Sequence, residues 1–506
     1  MIFLRRHWFV LTLALLLVFA GSSSVMAQPV NITVAQGADA VTLDPAGQND
    51  QPSARVRSQI YETLVLQDEE LNLVPGLAVS WEAVDELTWE FTLREGVYFH
   101  NGEPFSAADV KYSLDRLADP ATGSPSAFII GAVSEVTVID DYTVQVATEF
   151  PFAPLLAHLA HNATSIVNQK AVEEAGEDFG TRVAIGTGPF EFVSWSTGSH
   201  IVLRRNENYW GENAKPDTVT MRAIPENTVR AIELETGGVD IAYDIDPIDE
   251  MRLMYEPGLV LEKYRTLATA YIGFNVLKEP FDNVLVRRAI HHAVDVDAVV
   301  EFVYTGQAER NPGPISDMVW AANPNLEAYD FDPDKARELL AEAGYADGFS
   351  TSIWTNDNPL RMQIAEIFQA NLADVGIDIS VEILPWGTYL ADTADGKHDM
   401  FILGWVTVTG DPDYGLYSLF HSNLHGNAGN RTFYTNHRVD ELLDLGRTEA
   451  DPELRRAYYY EAQELIVEDA PWVFLIANSA VVGYNDSVEG FIPHPAGHHK
   501  LKNVSK

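Results

Sequence analysis

The chain has 506 residues, 46% of them hydrophobic, enough for a large core and, by length, about three domain-sized units. It contains no cysteine, which excludes disulfides, thiol nucleophiles and cysteine-based zinc or iron–sulfur sites. A formal net charge of −41 argues against nucleic acid as a partner, because phosphate binding needs a basic surface. The same charge serves solubility, or the steering of cationic ligands.

Residues 1–27 read as a secretory signal peptide. Arg5 and Arg6 give the positive region, residues 9–19 the apolar stretch, and Val25-Met26-Ala27 a small-x-small cleavage site ahead of Gln28. No lipoprotein cysteine follows, so the expected destination is a periplasm. A strand is expected over 31–35, followed by a loop with Thr42-Leu43-Asp44-Pro45 and the polar run 48–51. Val56, Ile60, Leu64 and Val65 then mark one helical face.

In residues 75–117, Leu87, Trp89, Phe91 and Leu93 alternate with polar residues, the period of a half-buried strand. Val97, Phe99 and Asn101-Gly102 predict a second short strand and a tight turn. Ser106 and Asp109 predict a capping box opening a helix through Leu117.

Several motifs here stand in register: Leu77-Ala78-x-Ser80-Trp81-Glu82, Leu87-Thr88-Trp89-x-Phe91-x-Leu93-Arg94-x-Gly96-Val97, Phe99-His100-x-Gly102, Pro104-Phe105-x-Ala107-x-Asp109-Val110 and Tyr112-Ser113. Together they resemble the signature of the family 5 solute-binding proteins, receptors for peptides, and in one branch nickel, that feed ABC importers. The resemblance extends from Leu43-Asp44-Pro45 to Pro471-Trp472. It implies an α/β fold with mixed sheets, two lobes closing over a ligand, a hinge near Ala270 and Ala477, and an extra small domain. The expected partition is 28–61, 186–269 and 477–506 for lobe I, 62–185 for the small domain, and 270–476 for lobe II. It also implies membrane permease subunits as partners, a monomeric receptor, no cofactor and no catalytic step.

Further along, 137–147 reads as a hairpin turning at Asp140-Asp141, and Pro151 to Pro154 open a short helix with His158 and His161. Gly186-Thr187-Gly188-Pro189-Phe190 is not a dinucleotide loop, since it lacks a third glycine and leads into a strand. Sheet is expected over 201–205, 208–210 and 219–224, and a helix over 226–234. The second lobe alternates helix and strand. Helices open at Asp332-Pro333 and span 360–373, 439–445 and 453–466. Strands are expected over 351–355, 377–383, 400–405 and 471–477.

Candidate ligand-binding residues follow from the resemblance and from the polar loop after strand 400–405. Backbone at Asn49, Asp50 and Gln51 is the position where peptide-binding relatives pair with an added ligand strand. Phe274 and Asn275 end a strand entering lobe II. Trp405, Thr407, Thr409, Gly410, Asp413 and Tyr414 follow the Trp-x-Thr-x-Thr-Gly-x-x-Asp-aromatic pattern of the glutathione-binding branch. Dipeptide-binding relatives carry an ammonium-binding aspartate three residues after the tryptophan, where this chain has Val408. Asp411 or Asp413 is the expected substitute, because a buried ammonium needs a carboxylate. Trp386 is a candidate for stacking, and Arg431 for a carboxylate fork. His158/His161, His421/His425 and His498-His499 form no zinc motif, so no metal is expected. Nickel or another small solute, or a sensing role, stays open as the alternative. No Gly-x-Ser-x-Gly elbow is present.

Overall fold

The computed structural model describes residues 29–305, 308–426 and 429–506. The signal segment and its cleavage site lie outside the described residues. Chain order gives β1 (Asn31–Gln36), α1 (Gln51–Ile60), β2 (Ala78–Ala83), β3 (Thr88–Leu93), α2 (Ala107–Ala118), β4 (Val133–Asp140) and β5 (Thr143–Thr148). Then come β6 (Phe190–Ser196), β7 (His200–Arg205), β8 (Thr218–Ala223), β9 (Ile241–Ala242) and the long β10 (Leu259–Phe274). The second half holds β11 (Phe349–Asn356), α3 (Pro359–Asp374), β12 (Ile377–Leu384), α4 (Trp386–Ala394) and β13 (Met400–Val406). It ends with α5 (Pro412–Phe420), α6 (His437–Thr448), α7 (Pro452–Asp469) and β14 (Trp472–Asn485).

One sheet unites both lobes, in the order β12-β11-β13-β10-β14-β9-β1-β8-β7-β6. Lobe I holds the β9-to-β6 side and lobe II the β12-to-β13 side. β10 and β14 belong to both, because each is long enough to pair antiparallel with its neighbour at either end. Their shared ladder breaks between Arg265 and Thr269 and slips again between Ala270 and Tyr271. At the first break Leu267 turns its hydrogen bonds elsewhere, donating to Pro495 and accepting from Thr407.

The signature stretch builds a separate four-stranded sheet, β2-β3-β5-β4. Phe91 and Leu93 are buried beneath α2, whose Val110, Leu114 and Leu117 cover them. Asp109 accepts from the Ser106 backbone N–H at 3.0 Å and closes that helix start. Val97 to Phe99 form only an isolated bridge, Tyr98 to Pro104, because the turn at Gly102 folds the chain back at once. Residues 208–210 also lie off the sheet. There Tyr209 and Trp210 turn inward and donate to the buried Glu62 at 2.7 and 2.8 Å.

The small domain and lobe II share one apolar cluster, which runs from Phe91 and Leu155 to Tyr414, Leu419 and Trp472. A second cluster fills lobe II between its sheet and α3, around Phe274, Ile353, Phe368 and Ile402.

Candidate functional site

Two cavities lie between the lobes, of about 290 and 210 Å³. Both are lined by Gln51, Ala268, Arg361, Leu403, Gly404 and Val406, so they form one continuous cleft. Its lobe I wall is the start of α1. Asp50 caps that helix, accepting from the Ser53 N–H at 3.1 Å, and Pro52 fixes the first turn. This places Asn49, Asp50 and Gln51 on the cleft. Gln51 is itself held between the Ala496 carbonyl at 2.6 Å and His498 Nε2 at 3.0 Å.

The lobe II wall is the end of β13. Gly404 is required there, since a Cβ would lie 2.7 Å from the Thr269 carbonyl oxygen on β10. Trp405 stands beside Tyr414, ring centroids 5.1 Å apart, and Tyr414 in turn contacts His161 at 4.8 Å. The Tyr414 hydroxyl exchanges hydrogen bonds with the Asn49 amide at 3.0 and 3.2 Å, a direct bridge between lobes. Trp386, at the start of α4, and Arg431 complete the wall.

Among the described residues Trp405 Nε1 has no hydrogen-bond partner, while the Trp386 indole faces the Asp50 carboxyl without closing a well-formed bond to it. Burial pushes the Asp50 carboxyl above the usual range, although Arg57 stands nearby. Burial lowers Arg431, whose Nε donates to Thr393 at 3.1 Å. The Arg361 guanidinium has only neutral partners among the described residues. It donates to Asn356 Oδ1 at 2.8 Å and sits 5.5 Å from the Trp386 ring.

Of the residues expected from sequence, Asn49, Asp50, Gln51, Trp386, Trp405, Tyr414 and Arg431 come together on this cleft. The others lie elsewhere. Phe274 stacks on Phe281 at 5.4 Å inside the lobe II core. Asn275 donates to the Gly396 and His398 carbonyls and ties down the turn before β13. Thr407 is buried against Gly415. Thr409 and Gly410 form the turn into α5, and their carbonyls accept from Gln67 and Trp320.

The two aspartates offered as ammonium partners are already engaged. Asp411 caps α5 and takes a bidentate fork from Arg455, both contacts at 2.7 Å. Asp413 is buried between Arg447 at 3.1 Å and His158 of the small domain at 3.2 Å. The stretch expected to be a ligand loop is thus a helix start. Thr409-Gly410-Asp411-Pro412 carried the signal, a capping aspartate followed by proline. Sequence reasoning missed Arg361, Arg57, His161 and His498. Arg361 sits one turn into α3, whose start is marked by Asn358-Pro359, a cue that Asn358 confirms by accepting from the Arg361 N–H at 3.0 Å. No group of three or more His, Cys, Asp or Glu side chains among the described residues is placed to hold a metal. No helix of the described residues is long and apolar enough to cross a membrane.

A sheet shared by two lobes, an inserted small domain and a ligand-sized cleft at the hinge define a two-lobed solute receptor. The chain belongs to the bacterial extracellular solute-binding proteins, family 5, whose model matches residues 72–427. It is 32% identical over 484 residues to the glutathione-binding protein GsiB of Salmonella typhi, covering 93% of this chain and 94% of that one. Among solved structures it resembles the periplasmic binding protein DppA of Helicobacter pylori in complex with the peptide STSA. That match has a TM-score of 0.89 and 33% identity, over 94% of this chain and 98% of that one. The dipeptide-binding protein of Pseudoalteromonas sp. SM9913, bound to Met-Leu, superposes with a TM-score of 0.90 at 25% identity, over 94% and 100% of the chains.

Proposed function

We propose that this chain is the periplasmic receptor of an ABC importer. It captures a peptide or a peptide-like solute, glutathione included, between its lobes and delivers it to the membrane permease. The observation that carries this reading is Arg361. A guanidinium that lines both cavities and has only neutral partners calls for a ligand carboxylate. The indole N–H of Trp405, without a partner among the described residues, is the donor offered to a ligand carbonyl. Asp50, rather than Asp411 or Asp413, is a carboxylate on the cleft; Asp244, which also lines it, is held in a fork by Arg55. Relatives named for glutathione, a tetrapeptide and a dipeptide support the same ligand class. The signal directs export and is removed after Ala27, and the receptor acts as a monomer whose part is capture, with no bond made or broken.

Mass spectrometry of small molecules released by denaturing the purified mature protein tests this. Short peptides or a single γ-glutamyl peptide are the expected result. A stoichiometric metal without any peptide would overturn it.

A further inference from the structure

The cleft does not end at Val408. His161, Asn162, Val408 and His498 line both the 210 Å³ cavity and a smaller chamber of about 50 Å³ behind it. One water needs at least about 10–15 Å³ by this measure, so the chamber holds roughly three or four non-hydrogen atoms. That is the size of a carboxylate, and too small for a residue with its backbone.

Lys500 lines this chamber. Among the described residues its Nζ makes one hydrogen bond, to the Ser58 carbonyl at 3.2 Å, and no ion pair. The residue is exposed along part of its side chain, and desolvation at the ammonium lowers its pKa. Two carboxylates act on it, Glu62 and Glu69, and Glu62, which also lines the chamber, is turned toward other donors. It accepts from Thr187 at 2.9 Å, from Tyr209 at 2.7 Å and from Trp210 at 2.8 Å. At the neck, Asn162 Oδ1 is, among the described residues, an acceptor without a donor. The chamber thus offers a cation inside, beside a Glu62 carboxylate already engaged by three donors, and an acceptor at its mouth.

Building on the peptide reading above, we propose that this chamber binds a carboxylate carried by the ligand's amino-terminal residue. Lys500 is its counter-ion, and the ligand's own ammonium stays at the neck beside Asn162. A ligand of this class is anionic at both ends, one carboxylate at Arg361 and the other at Lys500. A γ-glutamyl peptide fits through its α-carboxylate, and a peptide beginning with glutamate fits through its side chain. Val408 then has a reason. An aspartate at that position would set a second carboxylate in the neck through which the ligand's carboxylate passes.

Titration calorimetry on the mature protein with three tripeptides tests the chamber: glutathione, α-Glu-Cys-Gly and 4-aminobutyryl-Cys-Gly, which lacks the carboxylate in question. The wild type is expected to bind one or both acidic tripeptides at least tenfold tighter than the 4-aminobutyryl analogue. Which one it prefers separates an α-carboxylate from a side-chain carboxylate. Lys500→Met should erase that preference and leave the analogue's affinity unchanged, while Lys500→Arg keeps most of it. Val408→Asp, a second route to the same chamber, should weaken the acidic tripeptides and spare the analogue. Equal wild-type affinity for all three, or a preference that survives Lys500→Met, would overturn the chamber and leave the peptide reading standing. No binding of any of the three, with a metal or unrelated solute found in the purified protein, would overturn both.

Discussion

Two regions that meet at Tyr414 treat charge in opposite ways. At the seam between the small domain and lobe II, each carboxylate named above faces a guanidinium: Asp411 faces Arg455, and Asp413 faces Arg447 with the His158 ring beside it. At the cleft a few residues away, Arg361 has only neutral partners among the described residues, and Asp50 has no ion pair among them. Burial pushes both Asp50 and Asp413 upward. At Asp413 the Arg447 guanidinium, and then His158, reverse the effect and hold the carboxyl below its usual range. At Asp50 burial prevails and the carboxyl stays raised. The difference lies in charge: the seam carboxylates each face a guanidinium within 3.1 Å, whereas the cleft guanidinium of Arg361 has no carboxylate partner among the described residues.

The largest test breaks the seam. Asp413→Ala strands Arg447 without its carboxylate, and removing one partner of a buried pair costs about 3–5 kcal/mol. Urea unfolding should show that loss. Peptide affinity of the folded fraction should change little, and an unaltered midpoint would show that the seam carries no such strength.

A smaller effect, of a different kind, is expected at the cleft. Arg361→Met should weaken a carboxylate-bearing peptide by about 1.5–3 kcal/mol, a loss of about 10- to 150-fold, the range for hydrogen bonds to charged groups. Stability without ligand should move by less than about 1 kcal/mol. Calorimetry and thermal unfolding on one preparation decide whether the two losses separate.

The smallest expected effect is in pH dependence, and its sign divides the regions. The folded-state pKa of Asp413 is depressed, so its stabilisation is full above the unfolded value of about 3.9 and is lost as pH falls through the lower folded value. The pKa of Asp50 is raised, so stability declines as pH climbs from about 3.9 through the folded value. Unfolding free energies of wild type, Asp413→Asn and Asp50→Asn across acid pH should therefore deviate in opposite directions.

Much of the scaffold is legible in the sequence because it repeats locally. Alternation in residues 87–93 and the Ser106–Asp109 box specify β3 and α2 from neighbours alone. Aromatics at 386, 405 and 414 and the polar run at 49–51 also pointed to the cleft. What the sequence did not reveal depends on distant partners. Asp413 reads as a free carboxylate until the fold brings His158 to it from 255 positions away. Lys500 reads as a tail residue until the chain end folds back beside Ser58. Tyr209 and Trp210 look like strand residues because a buried Glu62 cannot be inferred from their own spacing.

The break in the shared ladder has a mechanical consequence. Two strands that leave register over one short stretch, between Arg265 and Tyr271, give the lobes a single axis to turn about. A pair of rigid jaws on one axis has one degree of freedom, so ligand length becomes an angle. The receptor then works as a caliper. The gap at which its jaws come to rest is a reading of what lies between them, delivered at the far edge of each lobe as a displacement that grows with distance from the axis.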